Sequence, residues 1–173
     1  MQRFFPKLKL RDISLIALFV ALYIVLSQFL SPMAGPVKIG LSFVAVMAAA
    51  QLYGVTGGVI AAGLGDFLGA VIFPIHGAYF FGFTLTAIVN GAIYGTVLSG
   101  EYKFSKNVLC VAMSQIICSL ILNTAFNAML MGAGFFAVLV KRLLQAAIMT
   151  PVQITLIHIL SKTLIPKIKK ALF

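Results

Sequence analysis

The sequence predicts an all-α integral membrane protein: six transmembrane helices in one bundle, with both termini in the cytoplasm. Three observations carry this reading. Hydrophobic residues make up 62% of the 173 and charged residues only 9%, whereas a soluble domain carries roughly a quarter charged residues. Charge-free windows cover 13–37, 39–65, 67–100, 107–140 and 143–161, each long enough to meet the ~18-residue threshold of a membrane helix. Six passes, finally, put Arg3, Lys7, Lys9, Arg11, Lys103, Lys106, Lys162, Lys167, Lys169 and Lys170 on one side and leave Lys38, Lys141 and Arg142 on the other. An excess of cations in the short loops marks the cytoplasmic face.

The elements follow in order. The first helix covers about 12–30, with Asp12 at the positive end of the helix dipole, and Ser31, Pro32, Gly35 and Pro36 end it. Its apolar run exceeds the ~7–15 residues of a signal-peptide core and no small-x-small cleavage site follows, so it reads as a retained helix. The second helix, about 39–53, is short; Gly54, Gly57 and Gly58 then predict a tight turn. The third covers about 57–73, and Pro74 to Gly82 form a loop rich in aromatics: Tyr79, Phe80 and Phe81, with Phe83 just beyond. The fourth covers about 82–98, the polar loop SGEYKFSKN leads to a fifth at about 107–131, and Gly132 and Gly134 turn the chain into a sixth at about 138–162. A basic tail, PKIKKALF, closes a chain that reads as a single domain over 1–173.

Several function classes are excluded by composition. The net charge of +10 flanks apolar spans and forms no face of its own, so nucleic acid is not an expected partner and the lipid bilayer is. Cys110 and Cys118 lie about 12 Å apart along one helix, beyond the reach of a disulfide, and no metal site is expected. Three acids in the whole chain cannot build a carboxylate cluster, and no nucleophile–base pair stands out, so the chain is not read as an enzyme. A G-x-x-x-x-G-K-[ST] phosphate loop is missing, so the chain cannot draw energy from ATP and needs no cofactor of its own. A stand-alone carrier remains an alternative, although the inverted repeat that would favour it is not evident.

The polar residues inside the spans point to an internal site. Asp66 lies beside the small-residue row Ala61, Gly65, Gly69, where another helix can approach closely. Gln115, Ser119, Asn123 and Asn127 repeat at a spacing of four, and Thr86, Asn90 and Tyr94 do the same. Lipid cannot satisfy amides or carboxylates, so such rows imply a polar interior.

These segments resemble a known family. ALFVA at 17–21, VKIGLSF at 37–43, YGVTGG at 53–58, GDFLGAVIFPIHGAYFFGFTL at 65–85, NGAIYG at 90–95 and NTAFNAML at 123–130 stand in the order found in the folate-specific substrate-binding subunit (S component) of energy-coupling-factor vitamin transporters. The resemblance implies a six-helix protein of the cell membrane with an outward-opening pocket capped by the loops after helices 1 and 3. It implies as partners a membrane coupling protein (T component) and two cytosolic ATPases that use the ATP. An S component for pantothenate, queuosine or cobalamin remains an alternative on the residues alone.

For folate, the chemistry suggests roles. A carboxylate accepts the paired N–H donors of a pterin edge, so Asp66 is one candidate; its other reading is a packing acid bonded to Asn or Thr of a neighbouring helix. Asn123 can bond the remaining edge, while Asn90, like Asn127, reads more as interhelical glue. Tyr79, Phe80 and Phe81 can stack on the ring or belong to the interfacial aromatic belt. Lys38 and Arg142 are outer cations suited to the glutamate carboxylates, Arg being the better bidentate partner; Lys141 suits lipid headgroups. His76 is a further loop candidate, and His158 receives no role. The resemblance also implies that Ala17 and Ala21, one turn apart, dock the coupling protein.

Overall fold

The computed structural model describes residues 9–31, 33–34, 37–38, 40–73, 79–100, 102–132 and 134–172, with backbone alone at 33–34, 37–38, 131 and 171–172. Helix α1 (Leu10–Gln28) opens with the Lys9 amide donating to Asp12 Oδ2 at 2.8 Å, which satisfies one of the orphan N–H groups of the first turn. The following segment, for which the sequence predicts a loop, carries a two-residue antiparallel ladder, β1 (Met33–Ala34) with β2 (Val37–Lys38). Helix α2 (Phe43–Ile72) follows, four residues later than expected at its start.

Gly54 interrupts α2 with φ 62 and ψ −147, a conformation that glycine tolerates and side chains do not. Residues eight apart on a straight helix are about 12 Å apart. Here a Cβ on Gly57 would fall 2.6 Å from the carbonyl oxygen of Ala49, so the chain folds back at Gly54. The two arms, 43–53 and 55–72, therefore form a hairpin. The predicted turn over Gly54, Gly57 and Gly58 shrinks to Gly54 alone. Gly57 and Gly58 are helical and buried, and their role is close approach.

Helix α3 (Phe81–Val97) packs along the second arm more extensively than any other pair of elements. A Cβ on Gly58 would lie 2.5 Å from the Gly91 carbonyl, and one on Gly91 would meet the Gly58 backbone in turn. In lipid, where apolar surface gains nothing by leaving the solvent, backbone approach of this kind supplies the packing energy.

A second unit follows. Helix α4 (Phe104–Met113) runs into a π-helical segment (Ser114–Leu122) and then α5 (Asn123–Met131), which Gly132 ends in the left-handed conformation. Helix α6 (Phe135–Thr163) returns, with Pro151 inside it. The basic tail forms α7 (Ile165–Leu172), whose Ile165 is buried. Among the described residues, four helical stretches are long and apolar enough to cross a membrane, at Leu10–Gln28, Phe43–Ile72, Phe104–Leu130 and Phe135–Lys170; Phe81–Val97 is shorter but apolar. The protein is an all-α membrane protein.

Gly54→Ala and Gly91→Ala should each lower stability by about 1–3 kcal/mol, the first through backbone strain and the second through overpacking. Gly134→Ala, at an exposed glycine with open space around it, should stay within about 0.5 kcal/mol. Thermal unfolding in detergent reads all three; equal midpoints would remove the hairpin and the glycine contact as structural determinants.

Candidate ligand-binding site

A cavity of about 260 Å³, close to the lower bound of ~300 Å³ typical of small-molecule sites, lies between the α1–α3 unit and the α4–α6 unit. Tyr23, Ser27 and Ser31 line it from α1 and its end, Ser42 and Phe43 from the start of α2, and Asn90 from α3. The opposite wall consists of Ser114, Gln115, Cys118, Ser119 and Asn123, with Arg142, Gln145, Met149 and Gln153 from α6.

The π segment explains which residues of this wall share one face. In an α-helix of 3.6 residues per turn, residues four apart drift by about 40° at every step. Residues five apart, about 140° off on an α-helix, return to one face in the i→i+5 register, so Ser114 and Ser119 reach the same cavity as Asn123. The polar row was legible from its spacing; the register that keeps it on one face was not, because no single residue type encodes a π segment. Side-chain bonds then tie the wall down. Ser114 Oγ donates to Asn90 Oδ1 at 2.6 Å, Gln115 Nε2 donates to Gln153 Oε1 at 3.0 Å, and Arg142 Nη1 donates to Gln145 Oε1 at 3.2 Å.

Three of the ligand-binding candidates, Asn90, Asn123 and Arg142, meet in this cavity, together with Gln115 and Ser119 of the polar row. Asp66 sits one layer behind the wall. Its Oδ2 accepts from Thr84 Oγ1 at 2.8 Å and its Oδ1 from Tyr23 OH at 3.4 Å, while Tyr79 OH bonds Thr84 Oγ1 at 2.9 Å. Tyr23 packs into the space left by Gly65 and also faces the cavity, so the acid orients a wall residue. The aromatic cluster divides. Phe80 packs on Phe126 and Phe83, Tyr79 meets Phe67 edge-on, and Phe81 is largely exposed. Asn127 donates back to the Asn123 carbonyl. His76 and the remainder of 74–78 lie outside the described residues, as does the side chain of Lys38. Lys141 is exposed.

Sequence reasoning missed Ser27, Ser31, Ser42, Gln145 and Gln153 as cavity residues, since isolated serines and amides on apolar helices carry no periodic signal. It also gave His158 no part. In the structure, His158 Nδ1 and Tyr102 OH lie 2.7 Å apart, and Asn107 Nδ2 donates to both the Ile154 carbonyl and Tyr102 OH. This cluster ties the 98–103 loop to α6 beyond Gln153. Ala17 and Ala21 are exposed and line an apolar groove of about 450 Å³ with Ile13, Val20, Ile60 and Leu64.

Residues 11–165 match the family described as the ECF transporter, substrate-specific component. The chain belongs to this family. This S component is a part of a transporter and not an enzyme, and it resides in the membrane. It is similar to the folate transporter FolT of Clostridium novyi (strain NT), at 34% identity over 143 residues, 82% of this chain and 83% of that one. The folate transporter FolT of Leuconostoc mesenteroides subsp. mesenteroides is 29% identical over 163 residues, 90% and 87% of the two chains. Among solved structures, a FolT bound with folic acid superposes with a TM-score of 0.81 at 27% identity, covering 88% of this S component and 93% of that chain. An S component for biotin gives 0.66 at 16% identity over 88% and 92%, a likeness of fold alone.

Thr84→Val removes the closer donor to Asp66. It should cost the S component about 1–3 kcal/mol, the penalty for leaving a part-buried acceptor short of a partner. Asn127→Ala, whose amide reaches only its own helix, should change the unfolding midpoint little; equal losses in the two variants would dismiss Asp66 as a packing centre.

Proposed function

We propose that this S component binds folate from outside the cell and delivers it across the membrane as part of an ATP-driven importer. The observation that carries the reading is the cavity itself. Among the described residues, its one charged lining residue is Arg142, no carboxylate lines it, and the remaining polar groups are neutral amides and hydroxyls. Such a site accepts an anionic tail and a flat, hydrogen-bonding body. Folate has both, and the relatives named for folate, together with the similar fold that holds folic acid, support that choice over another vitamin.

In this reading the chain is a single domain of six passes, the two arms of α2 counting separately, with both termini cytoplasmic and the cavity opening outward. The cavity residues fit that orientation, since Ser31 and Arg142 lie near the α1 end and the α5–α6 turn, opposite the basic tail. Arg142 pairs with the glutamate carboxylates, with Lys38 as a second cation from the loop. Asn123 bonds the ligand body, and Asn90 shapes the wall through Ser114. Asp66, Tyr79 and Phe80 act from behind the wall, Phe81 belongs to the outer rim, and His76 supplies a further ligand contact. A coupling protein docks on the groove at Ala17 and Ala21, and two cytosolic ATPases supply the energy; the chain itself holds no cofactor.

Titration calorimetry on the purified protein should give folate binding that Arg142→Gln weakens by about 1–3 kcal/mol, less at high salt. 6-Hydroxymethylpterin, which has no carboxylate, should bind both forms equally; an equal loss for both ligands would take Arg142 away from the carboxylates. In intact cells, an impermeant thiol reagent should label a cysteine placed at Ser31 and miss one placed at Lys170, and the reverse pattern would overturn the orientation. The double variant Ala17→Leu, Ala21→Leu should lose co-purification with the coupling protein yet keep folate affinity, whereas loss of folate binding would make the groove part of the fold.

A further inference from the structure

The cavity is chemically polarised. Arg142 and Gln153 both line it from α6, eleven residues apart, or about 16 Å of helix rise. Across the cavity, Gln115 meets Gln153, and Asn123 lies toward the Gly132–Gly134 turn and Arg142, as antiparallel neighbours must. One end is therefore cationic and the other is a neutral amide pair. The Gln115 and Gln153 side chains are buried, at 8% and 9% exposure, and their mutual bond engages one donor and one acceptor. Gln115 Oε1 and Gln153 Nε2 remain, an acceptor beside a donor at the end of a cavity that both residues line.

We propose that the Gln115–Gln153 pair is the specificity-determining reader of the ligand's heterocyclic end. The inference rests on the folate reading and deepens it. Gln115 Oε1 accepts the ring N–H of the pterin, and Gln153 Nε2 donates to the adjacent oxo group. The pair has a second property. If both amides turn over, Gln153 Nε2 donates to Gln115 Oε1, and the groups left for the ligand exchange places, donor at Gln115 and acceptor at Gln153. That arrangement matches a pterin whose oxo group is replaced by an amino group, because its ring nitrogen accepts and its amino group donates. Neutral amides can reverse in this way; a carboxylate such as Asp66, an acceptor only, cannot. The site should accordingly accept both ring forms and hold either with its tail toward Arg142.

The test uses the purified full chain and three compounds: folic acid, its analogue with amino in place of oxo, and p-aminobenzoylglutamate, which has no pterin. The unaltered protein should bind the two ring forms within about ten-fold of one another, since each finds a matched pair. Gln153→Glu, measured at mildly alkaline pH so that the new carboxylate is ionised, leaves an acceptor alone at that position. It should move the ratio toward the amino form by about a hundred-fold, the scale on which a buried polar mismatch discriminates. Gln115→Leu should weaken both ring forms about ten-fold or more and leave p-aminobenzoylglutamate unchanged. An unshifted ratio in folded Gln153→Glu protein overturns the assignment, as does equal weakening of all three compounds by Gln115→Leu. Should Gln153→Glu fail to fold, Gln115→Leu decides alone. Failure of the unaltered protein to bind folic acid would instead remove the folate reading, a result distinct from binding with the wrong selectivity.

Discussion

The bilayer offers no water to a polar group, and the architecture follows from how this chain meets that constraint. Asp66 is the most demanding case, a carboxylate in the middle of an apolar helix. Thr84 from α3 and Tyr23 from α1 converge on it, so one acid draws three helical stretches to a common point. Gly65 makes room for the Tyr23 ring beside the acid. Because Tyr23 also lines the cavity, the group that holds the packing together also sets the position of the wall.

The two units of the bundle solve the same problem differently. Between the second arm of α2 and α3, glycines let backbone meet backbone, and dispersion over a close interface does the binding. Between α3, the π segment and α6, side-chain amides and hydroxyls bridge the helices instead. Bridges of that length keep helices further apart than glycine contacts do, and a cavity lined by the same polar groups lies between them. Residues that act as interhelical glue in one register thus become the lining of a site in another.

Helix α1 serves two surfaces. Tyr23 and Ser27 face the cavity, while Ile13, Ala17, Ala21 and Ile24 face the apolar groove beside α2. A 3.6-residue period brings these sets to different sides of one rod, so the helix that borders the cavity also borders the groove.

What the sequence determined by itself was whatever depends on composition and period. The membrane class followed from long charge-free windows. The breaks at Asp12, Gly54 and Gly132 followed from the sequence, because capping and positive-φ preferences are local. An acid inside an apolar span, beside a small-residue row, told that Asp66 turns inward, since lipid leaves it no alternative. Only the tertiary structure decided what Asp66 touches, that Gly57 and Gly58 continue a helix beyond a turn one residue long, and that Gln115 meets Gln153 across the cavity. Those outcomes depend on the rotation of each helix about its axis and on a π register between Ser114 and Leu122. A spacing of four sets neighbours along one helix. Which partner stands opposite is set by the packing of all the others.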